Sequence, residues 1–113
     1  MIEELLEFAE HSFKLSKTDQ EGVTEREHLQ EVERQTGKTP QALIGPQFPT
    51  LVSHIWSAFI SLSSARTAGM SGPNPITYTE IKSWLELTDN TLSSRDIEAI
   101  KLLDSTYLRT QHG

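Results

Sequence analysis

Four stretches of this 113-residue chain carry residue types that could do chemistry. Thr36-Gly37-Lys38-Thr39 has the closing residues of a phosphate-binding loop, in which backbone N–H groups cradle phosphate and a lysine reaches it. The full pattern needs a glycine five residues before Gly37, a strand in front and a helix behind. Val32 stands at that position, a helical pattern precedes it and Pro40 follows, so the stretch reads as a helix cap and turn. Glu25 and His28 have Glu-x-x-His spacing, which puts both on one helix face. A carboxylate-bridged di-metal site needs two such pairs and two further glutamates, and His11, His54 and His112 have no glutamate three residues before them. Gly69-Met70-Ser71-Gly72 departs from the Gly-x-Ser-x-Gly elbow of a serine nucleophile. No two carboxylates are set in contrasting environments, as acid–base catalysis requires. The sequence therefore predicts no enzyme, no catalytic or metal residue and no cofactor.

The fourth candidate is a helix-turn-helix outline formed by residues 78–87 and 94–108. The helix that would enter a DNA groove starts Ser93-Ser94-Arg95-Asp96-Ile97-Glu98, and its acids would repel the phosphates that such a helix must approach. The whole chain has a formal net charge of −6, against the basic patches that nucleic-acid binding uses. A DNA-binding regulator is kept only as an alternative.

The elements that would position these residues follow from apolar spacing. Ile2, Leu5, Leu6, Ala9 and Phe13 form one stripe of a helix over residues 2–15, with Phe8 and Leu15 on a second, smaller patch. Residues 16–22 break it into a polar, flexible link. Thr24 and Glu27 make a capping box that starts a second helix near Glu25, with a thin apolar face of Leu29 and Val32 and a cap at Gly37. Thr39 and Pro40 suit the cap and first position of a short turn, Gln41-Ala42-Leu43-Ile44, closed by Gly45. Pro46 and Pro49 stiffen a link around Phe48.

Residues 50–67 read as the central helix, ended by Gly69. Leu51, Ile55, Ala58, Phe59, Leu62 and Ala65 give its main face, widened by Val52, Trp56 and Ile60, opposite Ser53, His54, Ser57, Ser61 and Ser64. Thr77 and Glu80 cap a helix starting near Tyr78, with Ile81, Trp84, Leu85 and Leu87 inward. Leu92 packs under the next turn. Ser93 and Asp96 cap a last helix that runs to about Leu108, with Ile97, Ile100, Leu103 and Tyr107 inward and residues 109–113 frayed. No alternation supports a sheet. The expected fold is all-α, a small bundle of about five helices with short Pro/Gly-rich links. It is divided into an N-terminal helix and link at 1–22 and a helical domain at 23–113. The expected core is Leu51, Ile55, Phe59, Leu62, Ile81, Trp84, Leu85, Ile97, Ile100 and Leu103.

Charge is unevenly placed. Residues 1–37 hold ten acids and four bases, whereas residues 38–76 hold only Lys38 and Arg66. An acidic start without an apolar run is unlike a signal peptide, and residues 51–65 are too short and too polar to cross a bilayer, so a soluble intracellular protein is expected. There is no cysteine, which excludes disulfides and thiolate metal sites. An uncharged middle on an acidic chain suits a long amphipathic helix as partner. Trp56, Met70, Tyr78 and Trp84 are the natural anchors, and Phe8 and Leu15 would stay exposed for a second copy or a partner unless something covers them.

Residues 26–108 also carry a combination of motifs: Trp56, Phe59, Leu62 and Arg66 on one helix; Gly72, Pro73, Pro75 and Ile76 in a loop; Tyr78, Glu80, Ile81 and Trp84 on the next helix; and Leu103, Asp104, Tyr107 and Leu108 at the close. This resembles small proteins encoded among the tail genes of long-tailed phages and prophages, near the tape-measure gene, which serve as tail assembly chaperones or minor tail components. Residues 1–22 match nothing in that resemblance. What it implies is binding rather than catalysis. Such chaperones coat the long helical tape-measure protein in the host cytoplasm until tail-tube subunits replace them, and some are frameshifted extensions of a shorter protein. The expected function is therefore tail morphogenesis, with the tape-measure protein and other tail proteins as partners and self-association possible. A component retained in the virion tail is an alternative. The Gly72-Pro73-Asn74-Pro75-Ile76 loop reads as structural, a stiff link that fixes the angle between two aromatic helices.

Overall fold

The computed structural model describes residues 2–18 and 21–112. It is all-α, with helices α1 Ile2–Ser16, α2 Glu25–Thr36, α3 Gln41–Ile44, α4 Ser53–Ser64, α5 Tyr78–Thr88 and α6 Ser94–His112. A 3-10 turn, Thr50–Val52, leads into α4, and strands β1 Ala68–Gly69 and β2 Gly72–Pro73 lie between α4 and α5. Part of the expected 16–22 link, Asp19 and Gln20, lies outside the described residues, as does Gly113.

The caps form where side-chain oxygens can satisfy the first free N–H groups of a helix. Thr24 Oγ1 accepts from Glu27 N at 3.1 Å and Thr77 Oγ1 from Glu80 N at 3.1 Å. Ser93 and Asp96 bond reciprocally, Asp96 N to Ser93 Oγ at 3.1 Å and Ser93 N to Asp96 Oδ2 at 3.2 Å. Gly37 closes α2 with φ 76° and its N–H on Glu33 O, so the phosphate-loop imitation is a helix cap. At α3 the expected Thr39 cap is corrected: Pro40 holds the cap position, and the Thr39 hydroxyl is drawn to the Glu33 carboxylate instead.

One core collects α1, α4, α5 and α6. Leu5 and Ala9 of α1, Ile55, Phe59 and Leu62 of α4, Ile81 of α5 and Ile100 and Leu103 of α6 are buried together, with α1 against α6 the most extensive helix pair. Trp84, Leu85 and Ile97 are half-buried at its edge. Phe59 is 1% exposed and meets Phe13 and Trp56, so Phe59→Ala is expected to cost about 3–5 kcal/mol. A denaturation midpoint unchanged by that substitution would remove it from the core.

Several expectations are corrected. Leu51 is 77% exposed, because the chain before Ser53 winds as a 3-10 turn and rotates Leu51 outward while Val52 takes the buried place. Ile60 and Leu87 are also exposed. The central helix ends at Ser64 with Ala65 as its cap rather than running to residue 67, since Arg66 turns inward to an acid on α6. A sheet does exist, a two-residue antiparallel ladder with Ala68 opposite Pro73 and Gly69 opposite Gly72, too short for any alternation to announce. The last helix continues to His112, and Thr106 and Thr110 are buried with their hydroxyls donating to the carbonyls of Leu102 and Tyr107. Leu15 is buried, and Phe8 is half-buried, so the second patch of α1 is covered by the protein itself.

Candidate partner-binding surface

The six anchors expected from the sequence fall in four environments. Leu15 is core. Phe8 and Trp56 belong to an aromatic cluster. Phe8 stands edge-on to Trp56 at 5.3 Å between ring centroids, and Phe48 comes down on both, at 5.0 Å from Phe8 and 6.3 Å from Trp56. Phe13 stacks on the inner side of Trp56 at 5.9 Å. Trp84 is half-buried, its indole N–H donating to Ser61 Oγ at 3.0 Å, so the serine face of α4 receives α5. Met70 and Tyr78 are the two that remain on the surface.

Both surface anchors stand on one buried polar node. Arg66, whose side chain is 6% exposed, places Nη1 2.6 Å from Asp104 Oδ1. That contact is an ion pair at a poor hydrogen-bond angle: Asp104 Oδ1 and Arg66 Nε have no hydrogen-bond partner among the described residues. Asp104 Oδ2 accepts the Ile76 N–H at 2.9 Å, and Arg66 Nη1 donates to Asn74 O at 2.9 Å. The guanidinium also lies over the Tyr107 ring, 4.5 Å from its centroid. Asp104 thus ties α6 to the end of α4 and to the loop before α5. The hairpin that projects Met70 at its tip is clamped at its base, with Asn74 N–H on Thr67 O at 3.0 Å.

Tyr78 starts α5 beside α6. Lys101 holds the Ile76 carbonyl with its ammonium, which sits 4.8 Å from the Tyr78 ring centroid. Tyr78, Lys101, Leu102, Glu98 and Ser105 line a shallow depression of about 270 Å³, in which Leu102 is half-exposed. The surface is apolar, aromatic and mixed in charge.

Sequence reasoning placed Arg66 and Asp104 inside a pattern but gave neither a role. The available signal was Arg66 itself, one of two charges in residues 38–76. Among the described residues no three His, Cys, Asp or Glu side chains are grouped to hold a metal ion, and no helix is long and apolar enough to cross a membrane. Glu25 and His28 lie exposed on α2.

The described residues form a helical fold with Met70 and Tyr78 exposed at its surface. The family model of phage tail assembly chaperones matches residues 32–109, from the second half of α2 to near the end of α6, and the chain belongs to that family. No match was found among curated proteins or among solved structures. The chain's role is therefore in bacteriophage tail assembly, and its family's role is a non-catalytic one.

Proposed function

We propose that this protein binds the tape-measure protein of its phage in the host cytoplasm and keeps it soluble until the tail tube assembles around it. The observation that carries the reading is the family match over residues 32–109, which spans the central helix, the clamped hairpin and the closing helix pair. The surface chemistry supports it. A tape-measure protein is a long helix, and its apolar stripe needs aromatic and thioether side chains held at fixed positions. Met70 on its hairpin and Tyr78 with Leu102 supply them. Their mounts on the Arg66–Asp104 node reduce the ordering cost of binding.

Co-expression tests this directly. The tape-measure protein expressed alone should be largely insoluble, and with this chain it should stay soluble and copurify with it. A tape-measure protein that is equally soluble with and without the chain, and never copurifies, would overturn the reading.

A further inference from the structure

Residues 37–49 connect α2 to the turn before α4 and run along the outer side of α1. They contribute no buried residue, and neither do α2 and α3. The radius of gyration, 15.7 Å, exceeds the roughly 13 Å of a compact chain of this length, as an arm at the edge of a core produces. Two pegs hold the segment down. His11 Nε2 lies 2.6 Å from Ala42 O and donates to it, with the imidazole against Gly45, where an added Cβ would fall 2.3 Å from the ring. Phe48, between Pro46 and Pro49, covers Phe8 and Trp56.

The surface beneath is unlike the segment that covers it. Glu4 lines the depression beside Phe48 and Leu51, and Glu7 lines the one beside His11 and Pro46. Among the described residues neither acid forms a salt bridge, whereas Glu10 is already engaged by Lys14 at 3.1 Å, which holds its carboxyl below the usual carboxylate range. Residues 39–49 carry no charge with which to answer Glu4 and Glu7. The aromatic groove is thus filled by a residue of the right shape on a segment whose one charge, Lys38, forms no salt bridge with Glu4 or Glu7 among the described residues.

We propose that residues 37–49 are a displaceable strap, and that the groove of Phe8 and Trp56 accepts a large apolar side chain from a basic amphipathic segment in place of Phe48. The proposal rests on the partner-binding reading above and adds where and how the partner is held. A partner lysine or arginine on either side of its anchor meets Glu4 and Glu7, a contact the strap never makes. Competition with the strap also makes the hold releasable, because affinity is reduced by the fraction of molecules in which the groove is closed. A groove open about one-tenth of the time binds about tenfold more weakly than one held open.

Hydrogen exchange of the free full-length protein reads the strap alone. The amide of Leu43, which donates to Pro40 O at 3.0 Å, should exchange at least about tenfold faster than those of α4 and α6, as a segment that opens without global unfolding does. Exchange in step with α4 overturns the strap. Binding of tape-measure fragments reads the groove. Phe48→Ala removes one peg, and Gly45→Ala, strained at φ 56° and set against the His11 ring, loosens the other without deleting an aromatic side chain. Both should bind about three- to tenfold tighter than wild type. Glu4→Gln with Glu7→Gln should weaken binding and reduce its salt dependence. If wild type binds and both opened variants bind no tighter, the groove proposal fails although the tail-partner reading stands. If no fragment binds any variant, the tail-partner reading fails and the docking with it, while exchange still decides the strap.

Discussion

Deletion of residues 1–22 is expected to abolish cooperative folding of the remainder, although the family match begins only at residue 32. α1 supplies Leu5 and Ala9, both 0% exposed, and Phe13 and Leu15, 7% and 6% exposed. Phe13 touches Trp56, Phe59 and Tyr107, and so joins α4 to α6. Loss of Leu5 alone should cost about 2–5 kcal/mol and loss of Phe13 about 3–5. Their removal with the rest of the helix is comparable to the roughly 5–15 kcal/mol that a small domain has in total. The truncated chain should show no sigmoidal thermal transition by circular dichroism and should bind a hydrophobic dye. A truncated protein that melts sharply within a few degrees of the full chain would show that 23–113 is a domain in its own right. Leu5→Ala in the full-length chain separates loss of packing from loss of the segment.

Asp104→Ala should be the most damaging polar substitution, at about 3–5 kcal/mol. It leaves the Arg66 guanidinium buried without its counter-charge and the Ile76 N–H without an acceptor. The cost comes mainly from the groups left behind, because a buried ion pair does little more than offset its own desolvation. Replacing both partners by apolar residues, Arg66→Met with Asp104→Leu, should therefore cost less than Asp104→Ala alone. Urea denaturation of the wild type, Asp104→Ala and the double variant reads this from the midpoints at constant slope. A loss below about 1 kcal/mol for Asp104→Ala would mean that the node is hydrated and does not clamp the hairpin.

The local order of this protein was legible in the chain because its causes are local. Thr24, Thr77 and Ser93 announce helix starts through residues three positions on, and Gly37 announces an end through its φ. The faces of α5 and α6 follow from spacing, so Ile81, Ile100 and Leu103 were identifiable as core. The exposure of Leu51 was not legible, since a 3-10 turn shifts the phase of a stripe by an amount that the apolar pattern does not encode.

Of the surface anchors, the types of residue were readable and their exposure was not. Phe8, Trp56, Met70 and Tyr78 are equally plausible as sequence. The placement of Phe48, 40 residues after Phe8, helps cover the first two, and no ring–ring contact covers Met70 or Tyr78 among the described residues. Arg66 and Asp104 are 38 residues apart, and nothing near either one names the other. The sequence alone determined an all-α chain of capped helices with an acidic start and an uncharged middle. Tertiary structure alone decided which apolar residues face solvent and where the buried charges meet, because burial and ion pairing depend on distances between elements that no periodicity within one element contains.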